Sequence, residues 1–393
     1  MSCIRGNSYT IKAGDTLYIV AQQQLGNGER WREIMKPDGR PFTDNEARNL
    51  RVGEEICLPG HESSPTKFLG VTFQPYVANW TGSAPNAKTP FWNSYSQQDI
   101  VRMLEVIASQ FNKIATYSMG VAGYYPPTTP WNQVDSNCHV AGAAAQLNQQ
   151  RGKIAIEVAL GIYQQSDGAL QQREIEAAFS AAQAANAVYP NTVTSLVFTN
   201  EYTINAQTTN AVNAMIVANK QRAHNQNMKV GVRSHTFGQI ANPNSSYYNE
   251  LKTLIQNCDF ILCNLYPPPN AATPQDGVNG VSQALNQIKS AVAGINPQCQ
   301  VMIGETGWPS QGISFNNTDN NVKNLVAYCE AIDKWASQQG VITYLFEAID
   351  EPWKSNQNAP ANSATPWQGP NGAEGHYGLW YLNDQGGYTH KQV

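Results

Sequence analysis

Read for its alternation of apolar and polar positions, the chain divides into a short first part and a long second one. In residues 1–60, Ser8-Tyr9-Thr10-Ile11 alternates as a short strand does. A Gly14-Asp15-Thr16 turn follows, with Asp15 as the predicted N-cap of a helix whose apolar positions are Leu17, Ile19, Val20 and Ala21. A second helical piece is predicted over 30–36, carrying Trp31 and Ile34 and stopped by Pro37. The run from Gly53 to Pro59 reads as a closing strand. An order of β-α-α-β in about sixty residues makes a unit small enough to want a covalent staple, and Cys3 and Cys57 bracket it as the expected pair. Residues 61–67 are short, polar and contain Pro65, so they read as a linker.

Residues 68–393 form the second domain. Strand-like segments lie at 68–77, 113–119, 153–163, 192–202, 228–237, 259–267, 299–307 and 341–349. Helical periodicity fills 98–111, 170–187, 208–225, 247–258, 281–294 and 322–339 between them. Near-continuous apolar strands interleaved with helices predict an α/β fold, a (β/α)8 TIM barrel. The competing doubly wound sheet would bring a glycine-rich phosphate loop after an early strand. Gly26-Asn27-Gly28 lacks the third glycine and falls in the first part. Cys258 and Cys299 precede the sixth and seventh predicted strands of the barrel, where a structural bridge across its bottom face is expected.

Composition narrows the partners. Only 25 Lys+Arg and 29 Asp+Glu occur in 393 residues, 14% charged, with a net charge of −4. The usual figure is ~25%. No basic excess supports nucleic acid or an anionic membrane as a partner, and no apolar run reaches the ~18 residues of a membrane span. Asn, Gln, Ser, Thr and Tyr make the surface uncharged and hydrogen-bonding, which suits a secreted protein that meets neutral polymers. The first six residues hold no apolar signal core, so the protein is either cytosolic or a start Met stands where the signal was removed. Seven cysteines and the sequons at Asn79, Asn244 and Asn316 favour the second reading, extracellular or in the cell wall. The cysteines show no CxxC pair and no His at zinc spacing, so no metal is expected. Nor is any organic cofactor.

In a barrel of this kind, polar residues at the C-terminal ends of strands are the catalytic candidates. The fourth strand ends Thr199-Asn200-Glu201-Tyr202, the seventh Gly304-Glu305-Thr306-Gly307-Trp308, and the eighth Phe346-Glu347-Ala348-Ile349-Asp350-Glu351. A carboxylate closing an apolar strand is costly unless it is paired or hydrogen-bonded. Two carboxylates across a barrel mouth ringed by Tyr and Trp are what glycosidic cleavage requires, and tips of strands four and seven approach to about 5–5.5 Å in retaining enzymes. Glu201 is therefore expected as acid/base and Glu305 as nucleophile, with Asn200 placed to bond a sugar hydroxyl. Glu157, inside the third strand, reads as a structural hydrogen-bonding partner.

Two family resemblances attach to these residues. Tyr9-Thr-Ile-Lys-Ala-Gly14-Asp15-Thr16-Leu17-x-x-Val20-Ala21, ending in Leu50-x-x-Gly53-x-x-Ile56-Cys57-Leu-Pro59, looks like a LysM domain. That resemblance implies binding of an N-acetylglucosamine polymer, chitin or peptidoglycan, by Gly14, Asp15, Thr16 and Leu17 in one loop and Asn49 in the other. The bracketing cysteines resemble the fungal secreted form, for which chitin is the expected ligand. The segment 37–46 departs from the shortest family pattern. Over about residues 68–385, Asn200-Glu201, Gly304-Glu305-Thr-Gly-Trp308-Pro-Ser310, Phe346-Glu347-Ala-x-Asp350-Glu351-Pro-Trp353-Lys354 and Tyr266-Pro267 resemble glycoside hydrolase family 17. This implies a retaining endo-1,3-β-glucanase or a related β-1,3-glucan glucosyltransferase. It implies substrate contacts from Tyr202, Tyr266 and Trp308, and electrostatic support from Glu351 and Lys354. Trp308 could instead pack beside Pro309. The long stretch 355–375 departs from the compact plant members and is expected over or beside the strand-eight end of the cleft; Trp131 and Tyr124-Tyr125, after the second strand, are candidates for the cleft wall.

The chain thus reads as a secreted, monomeric glycoside hydrolase that cuts β-1,3-glucan by double displacement and is held on chitin by its LysM domain. The alternatives are transglycosylation at the same site, and a wall-binding lectin whose barrel has lost activity, against which the intact Glu201/Glu305 pair argues.

Overall fold

The computed structural model describes residues 7–24, 28–37, 40–58, 67–77, 95–121, 130–133, 135–355 and 365–392. The chain falls into two compact units, Met1–Pro65 and Thr66–Val393. Of the expected linker, only Lys67 lies among the described residues.

In the first unit, β1 (Asn7–Thr10) pairs antiparallel with β2 (Glu55–Leu58), Tyr9 standing opposite Ile56. Between them run α1 (Leu17–Gln24), a 3-10 turn (Gly28–Glu33) and the short α2 (Asp44–Ala47). Ile11, Leu17, Val20, Ala21, Ile34 and Ile56 make the core. Two local expectations are corrected. The cap of α1 is Thr16, whose Oγ1 accepts the Ile19 N–H at 3.1 Å. The Asp15 carboxylate instead accepts the Lys12 N–H at 2.8 Å and the Tyr9 hydroxyl at 2.9 Å, so it closes the turn in front of the helix. The piece expected over 30–36 is the 3-10 turn, which starts earlier and ends at Glu33. The second α-helix begins later, behind a Thr43/Glu46 capping box. Cys57 is disulfide-bonded; its expected partner, Cys3, lies outside the described residues.

The second unit is a closed eight-stranded parallel barrel. Its strands are β3 (Leu69–Thr72), β4 (Lys113–Ala115), β5 (Glu157–Ile162), β6 (Val193–Asn200), β7 (Lys229–Ser234), β8 (Phe260–Asn264), β9 (Gln300–Thr306) and β10 (Thr343–Leu345), with β10 pairing back onto β3. Seven helices follow the first seven of these strands: α3 (Gln97–Ile107), α4 (Val140–Arg151), α5 (Gly168–Val188), α6 (Ala206–Asn225), α7 (Tyr248–Asn257), α8 (Pro274–Ala293) and α9 (Val322–Gln339). Alternation along the strands sends Ala115, Ala159, Val197, Phe260, Leu262, Met302 and Tyr344 inward and Ile114, Val158, Leu160, Val230, Val232 and Ile303 outward onto the helices. Large inward rings face small neighbours. A Cβ at Gly231 would stand 2.4 Å from the Phe260 ring, and one at Gly70 would stand 2.9 Å from Tyr344.

No α-helix follows β10 among the described residues. A hairpin of β11 (Trp380–Leu382) and β12 (Tyr388–His390) does, bridged to the end of β10 through Ile349 and Trp380. Buried Trp380 packs edge-on to Phe111 and His390.

Cys258 and Cys299 are both free, so the expected bridge is absent. The register explains this. Phe260 is opposite Gln300, which places Cys299 beside Asp259 and one residue out of phase with Cys258. Side chains one step apart along paired strands point to opposite faces. Asn316 is buried, its amide donating to the Pro267 carbonyl at 3.2 Å, so this sequon offers no accessible acceptor. Asn244 is exposed, and Asn79 lies outside the described residues. Glu157 does serve the frame: it accepts from Lys113 at 2.7 Å and from Thr194 at 2.8 Å.

Buried Glu174 of α5 ties two strand ends together. It accepts from the Met119, Val121 and Tyr163 backbones at 2.6, 3.2 and 3.1 Å and from the Ser118 hydroxyl at 3.0 Å. Glu174→Ala leaves the buried Met119 and Val121 N–H groups and the part-buried Tyr163 N–H unpaired and should destabilise the barrel by about 3 kcal/mol. The denaturant midpoint reads this; an unchanged midpoint refutes the role.

Candidate active site

The expected residues converge at the C-terminal ends of β6, β8, β9 and β10. At the end of β6 the ladder to β7 slips between Phe198 and Asn200. Thr199 and Glu201 adopt left-handed backbone angles, φ 61° and 53°, which side-chain-bearing residues adopt at a cost. Pairing resumes with the Glu201 N–H donating to the Arg233 carbonyl at 3.0 Å. This bulge is what brings Glu201 into the cleft.

Glu201 Oε1 accepts from Asn264 Nδ2 at 2.9 Å and lies 3.4 Å from His235 Nδ1. Asn264 stands opposite Glu305 in the β8–β9 register, so one amide spans from the strand beside Glu305 to Glu201. Glu305 is buried, and its Oε2 accepts the Tyr266 hydroxyl at 3.0 Å. Arg233 lies fully buried between strands. Its guanidinium donates to the Thr116 carbonyl at 3.2 Å and stacks 4.5 Å from the Tyr117 ring centroid. Tyr117, Phe346, Ala373 and Tyr377 form a separate hydrophobic cluster, with Tyr266 packed against it.

The two carboxylates have opposite electrostatics. Burial pushes Glu305 up to about 7; the nearby Arg233 charge opposes this and the Glu201 charge adds to it. Burial also pushes Glu201 up, but the hydrogen bonds from His235 and Asn264 outweigh it and hold that carboxyl below its usual range. The bond to Glu201 raises His235 in return. In the free site, then, the proton of the pair rests on Glu305.

On the eighth strand's end, Lys354 is inserted between two buried glutamates. Its ammonium is 2.8 Å from Glu347 Oε2, is ion-paired with Glu351, and stands 4.6 Å from the Phe346 ring centroid. Burial alone would lower Lys354; the Glu347 and Glu351 charges outweigh it and drive it up. Glu347 is pushed well above its usual range by burial, against the pull of Lys354.

Asn200 donates its N–H to Gln164 at 3.1 Å, and its side-chain oxygen is buried with no partner among the described groups. One expected sugar contact is not where the resemblance implied. Trp308 is completely buried, tilted against Tyr328, with its indole N–H donating to the Asp319 carbonyl at 3.0 Å. It packs beside Pro309 and is no stacking wall. Tyr202 packs half-buried on the core outside the barrel. Trp131 likewise packs on that core, and Tyr124-Tyr125 lie outside the described residues. Sequence reasoning missed Arg233, Asn264, His235, Tyr117 and Tyr377. A visible signal existed for the first: a charged residue inside the apolar run Val230-Gly-Val232-Arg233.

In the first unit, Asp15 and Thr16 line a hollow of about 510 Å³ together with Trp31, Arg48 and Leu50. Of the other expected contacts there, Leu17 lines it from the core, whereas Gly14 and Asn49 do not. Asn49 turns back to donate to the Asn45 carbonyl at 2.7 Å, and Gly14, at φ 91°, serves the turn.

Comparison with known proteins agrees with the barrel fold and with a glycoside hydrolase domain. The model of the BtgE/BtgC glycoside hydrolase domain matches residues 133–378, more than half of the chain. A glucan 1,3-beta-glucosidase of Saccharomyces cerevisiae is 27% identical over 118 residues, 29% of this chain and 37% of that protein. One from Schizosaccharomyces pombe is 28% identical over 110 residues, 27% and 34% respectively. The chain thus spans about a third of the length of these curated relatives. Among solved structures, an endo-laminarinase from Formosa superposes with a TM-score of 0.59 at 17% identity, covering 81% of this chain and 84% of that one. A β-1,3-glucanosyltransferase of Rhizomucor miehei, in complex with laminaritriose, gives 0.54 at 18% identity, covering 82% and 95%. At such identities these likenesses bear on the fold alone.

The raised Glu305 makes a stability prediction. Its folded value, about 7, exceeds the ordinary 4.5, so the unfolded chain loses this proton first. The resulting stability is full below about 4.5 and is lost as pH rises towards 7. Glu305→Gln should therefore gain on the wild type by roughly 3 kcal/mol between pH 4.5 and pH 8. A constant difference in melting temperature across that range refutes it.

Proposed function

The chain belongs to the BtgE/BtgC glycoside hydrolase family, and from that premise we propose that it cleaves β-1,3-glucan at the mouth of its barrel by double displacement. The observation that carries this reading is the Glu201–Asn264 bond beside Glu305, which gathers one solvated and one buried carboxylate into a single site. The names of the matched yeast proteins, glucan 1,3-beta-glucosidases, supply the substrate class.

Below about pH 7 the pair holds one proton, the number the reaction needs. Glu305 attacks the anomeric carbon, the bond to the 3-oxygen of the leaving chain breaks, and that oxygen takes the proton from Glu201. The proton must therefore move from Glu305 to Glu201 as substrate binds. A glucan lying over Glu201 strips it of water and raises its affinity for the proton. Arg233 favours the anion left on Glu305. Glu201 then draws a proton from water, or from a sugar hydroxyl, which attacks the glycosyl ester and frees Glu305. Water gives hydrolysis; a sugar hydroxyl gives transfer. Asn200, with an unsatisfied buried oxygen next to the acid, is suited to a hydroxyl of the bound sugar. Lys354, Glu347 and Glu351 set the field on the eighth-strand side.

We further propose that the first unit is a LysM domain that holds the enzyme on chitin outside the cell, since its hollow joins the Asp15–Leu17 turn to the Arg48–Leu50 loop. Trp31 offers an aromatic face in the same hollow, suited to an acetamido sugar.

Laminarin and a single laminari-oligosaccharide test the catalytic reading. Wild type should release reducing sugar, and Glu305→Ala should fall by at least about 10³-fold. Products longer than the input identify transfer; equal background release from wild type and variant ends the enzyme reading. Azide should restore turnover of an activated aryl glucoside to Glu201→Ala with retained configuration and to Glu305→Ala with inversion; the opposite pattern exchanges the two roles. For the first unit, the intact chain should sediment with chitin beads, and Thr16→Ala combined with Arg48→Ala should weaken this several-fold; no retention of wild type rejects the chitin assignment.

A further inference from the structure

Two large apolar side chains left in water, Ile313 (50% exposed) and Phe315 (45%), stand on the loop between β9 and α9. This loop is tightly bonded. The Ile313 N–H donates to the Asn371 carbonyl at 2.8 Å, and the Ala373 N–H returns to Ile313 at 3.0 Å. Asn320 Nδ2 donates to the Gly312 carbonyl at 2.7 Å, and the Asn270 N–H to the Asn316 carbonyl at 2.9 Å. An exposed phenyl ring held by so many bonds is a fixed feature of the cleft rim. A single exposed apolar residue would need no explanation. Phe315, however, is not single. Its ring meets Tyr266 edge-on, with centroids 5.2 Å apart and planes at 82°, and meets Trp367 at 6.2 Å and 70°. Tyr266 is the residue whose hydroxyl donates to Glu305. The three rings therefore form a continuous row of edge-to-face contacts that starts at the buried carboxylate and has Phe315 as its exposed member. Asn270, Asn317, Gln368 and Asn371 stand exposed in the chain segments that frame it, and Asn317 is bonded to Asn270 at 3.0 Å.

We propose that Phe315 and Trp367 form a stacking subsite for a glucosyl residue distant from the bond at Glu305, which makes the enzyme select long β-1,3-glucan chains. The proposal rests on the β-1,3-glucan reading above and deepens it. A pyranose ring presents a face of C–H groups, which an aromatic ring covers without charge, and the amides at the rim match its hydroxyl edge. Trp367 comes from the stretch following β10, so this subsite is built from two loops that bond to each other before any ligand arrives. Preorganisation of that kind lowers the ordering cost of binding a flexible chain.

Glu305→Gln, which does not turn over, allows equilibrium titration with laminaribiose and laminarihexaose. Adding Phe315→Ala should weaken the hexaose about tenfold, the upper end of what an aromatic contact contributes, and leave the biose unchanged. Phe315→Leu should behave as Phe315→Ala, and Phe315→Tyr should restore hexaose affinity, because the π face and not apolar bulk is required. Trp367→Ala should repeat the effect. Since Phe315 is nearly half exposed, melting temperatures should be unaltered. Equal affinity for the hexaose with and without the ring, or equal losses for both lengths, overturns the subsite while leaving the glucanase reading intact. Failure of Glu305→Gln to bind hexaose, together with failure of wild type to cut laminarin, overturns the β-1,3-glucan reading and the subsite with it.

Discussion

Holding carboxylates out of water at the barrel mouth is the constraint on which the rest of the structure depends. Glu305, Glu347 and Glu351 are all buried, and the cations that face them are Arg233 and Lys354. Each buried charge is tolerable only with a partner in place, because an uncompensated ion in such surroundings costs several kcal/mol. The partners are placed by strands rather than loops: Arg233 by β7, Glu305 by β9. Aromatic rings from Tyr117, Phe346 and Tyr377 close the space around them. The same dryness that makes the site costly holds a proton on Glu305 up to about pH 7, where that carboxyl would be ionised in water.

Scaffold and chemistry are joined by irregularities at the strand ends. A perfect β6 would carry Glu201 past the cleft. The slip after Phe198 and the left-handed Thr199 and Glu201 turn it inward instead, to where Asn264 can reach it. Glu174 does comparable work behind the site, fastening the ends of β4 and β5 through three backbone amides. On the opposite side, the loops after β9 and β10 are stitched together by backbone bonds between Ile313 and residues 371–373. The barrel interior stays rigid because Phe260 and Tyr344 fill the spaces that glycines leave.

Much of this was legible along the chain. Apolar segments at regular intervals announced the barrel, since parallel strands covered on both faces must be apolar throughout. Glu201 and Glu305 were legible too, because a charge that closes an apolar strand needs a specific reason to be there, whereas Glu351 and Lys354 entered only through the family resemblance. Arg233 obeys the same rule and should have been read the same way. Trp308 was misjudged for a different cause. Its neighbours in sequence are Gly307 and Pro309, which mark a strand end but say nothing about which side the indole takes; contact with Tyr328 and the Asp319 carbonyl settles that, and both lie more than ten residues away. The Cys258–Cys299 bridge failed on register, a one-residue phase that strand prediction does not resolve.

What the linear pattern specifies is local and periodic: eight strands, their helices, a small capped unit before them, and the carboxylates that end three strands. Such features follow from alternation, turn chemistry and the price of burying charge, all of which act between near neighbours. The protonation of the pair, the amide linking Glu201 to the strand beside Glu305, and the row of rings from Tyr266 through Phe315 to Trp367 depend on groups far apart in the chain. These arise only when the barrel closes, because burial and proximity are properties of the packed mouth and of no single segment.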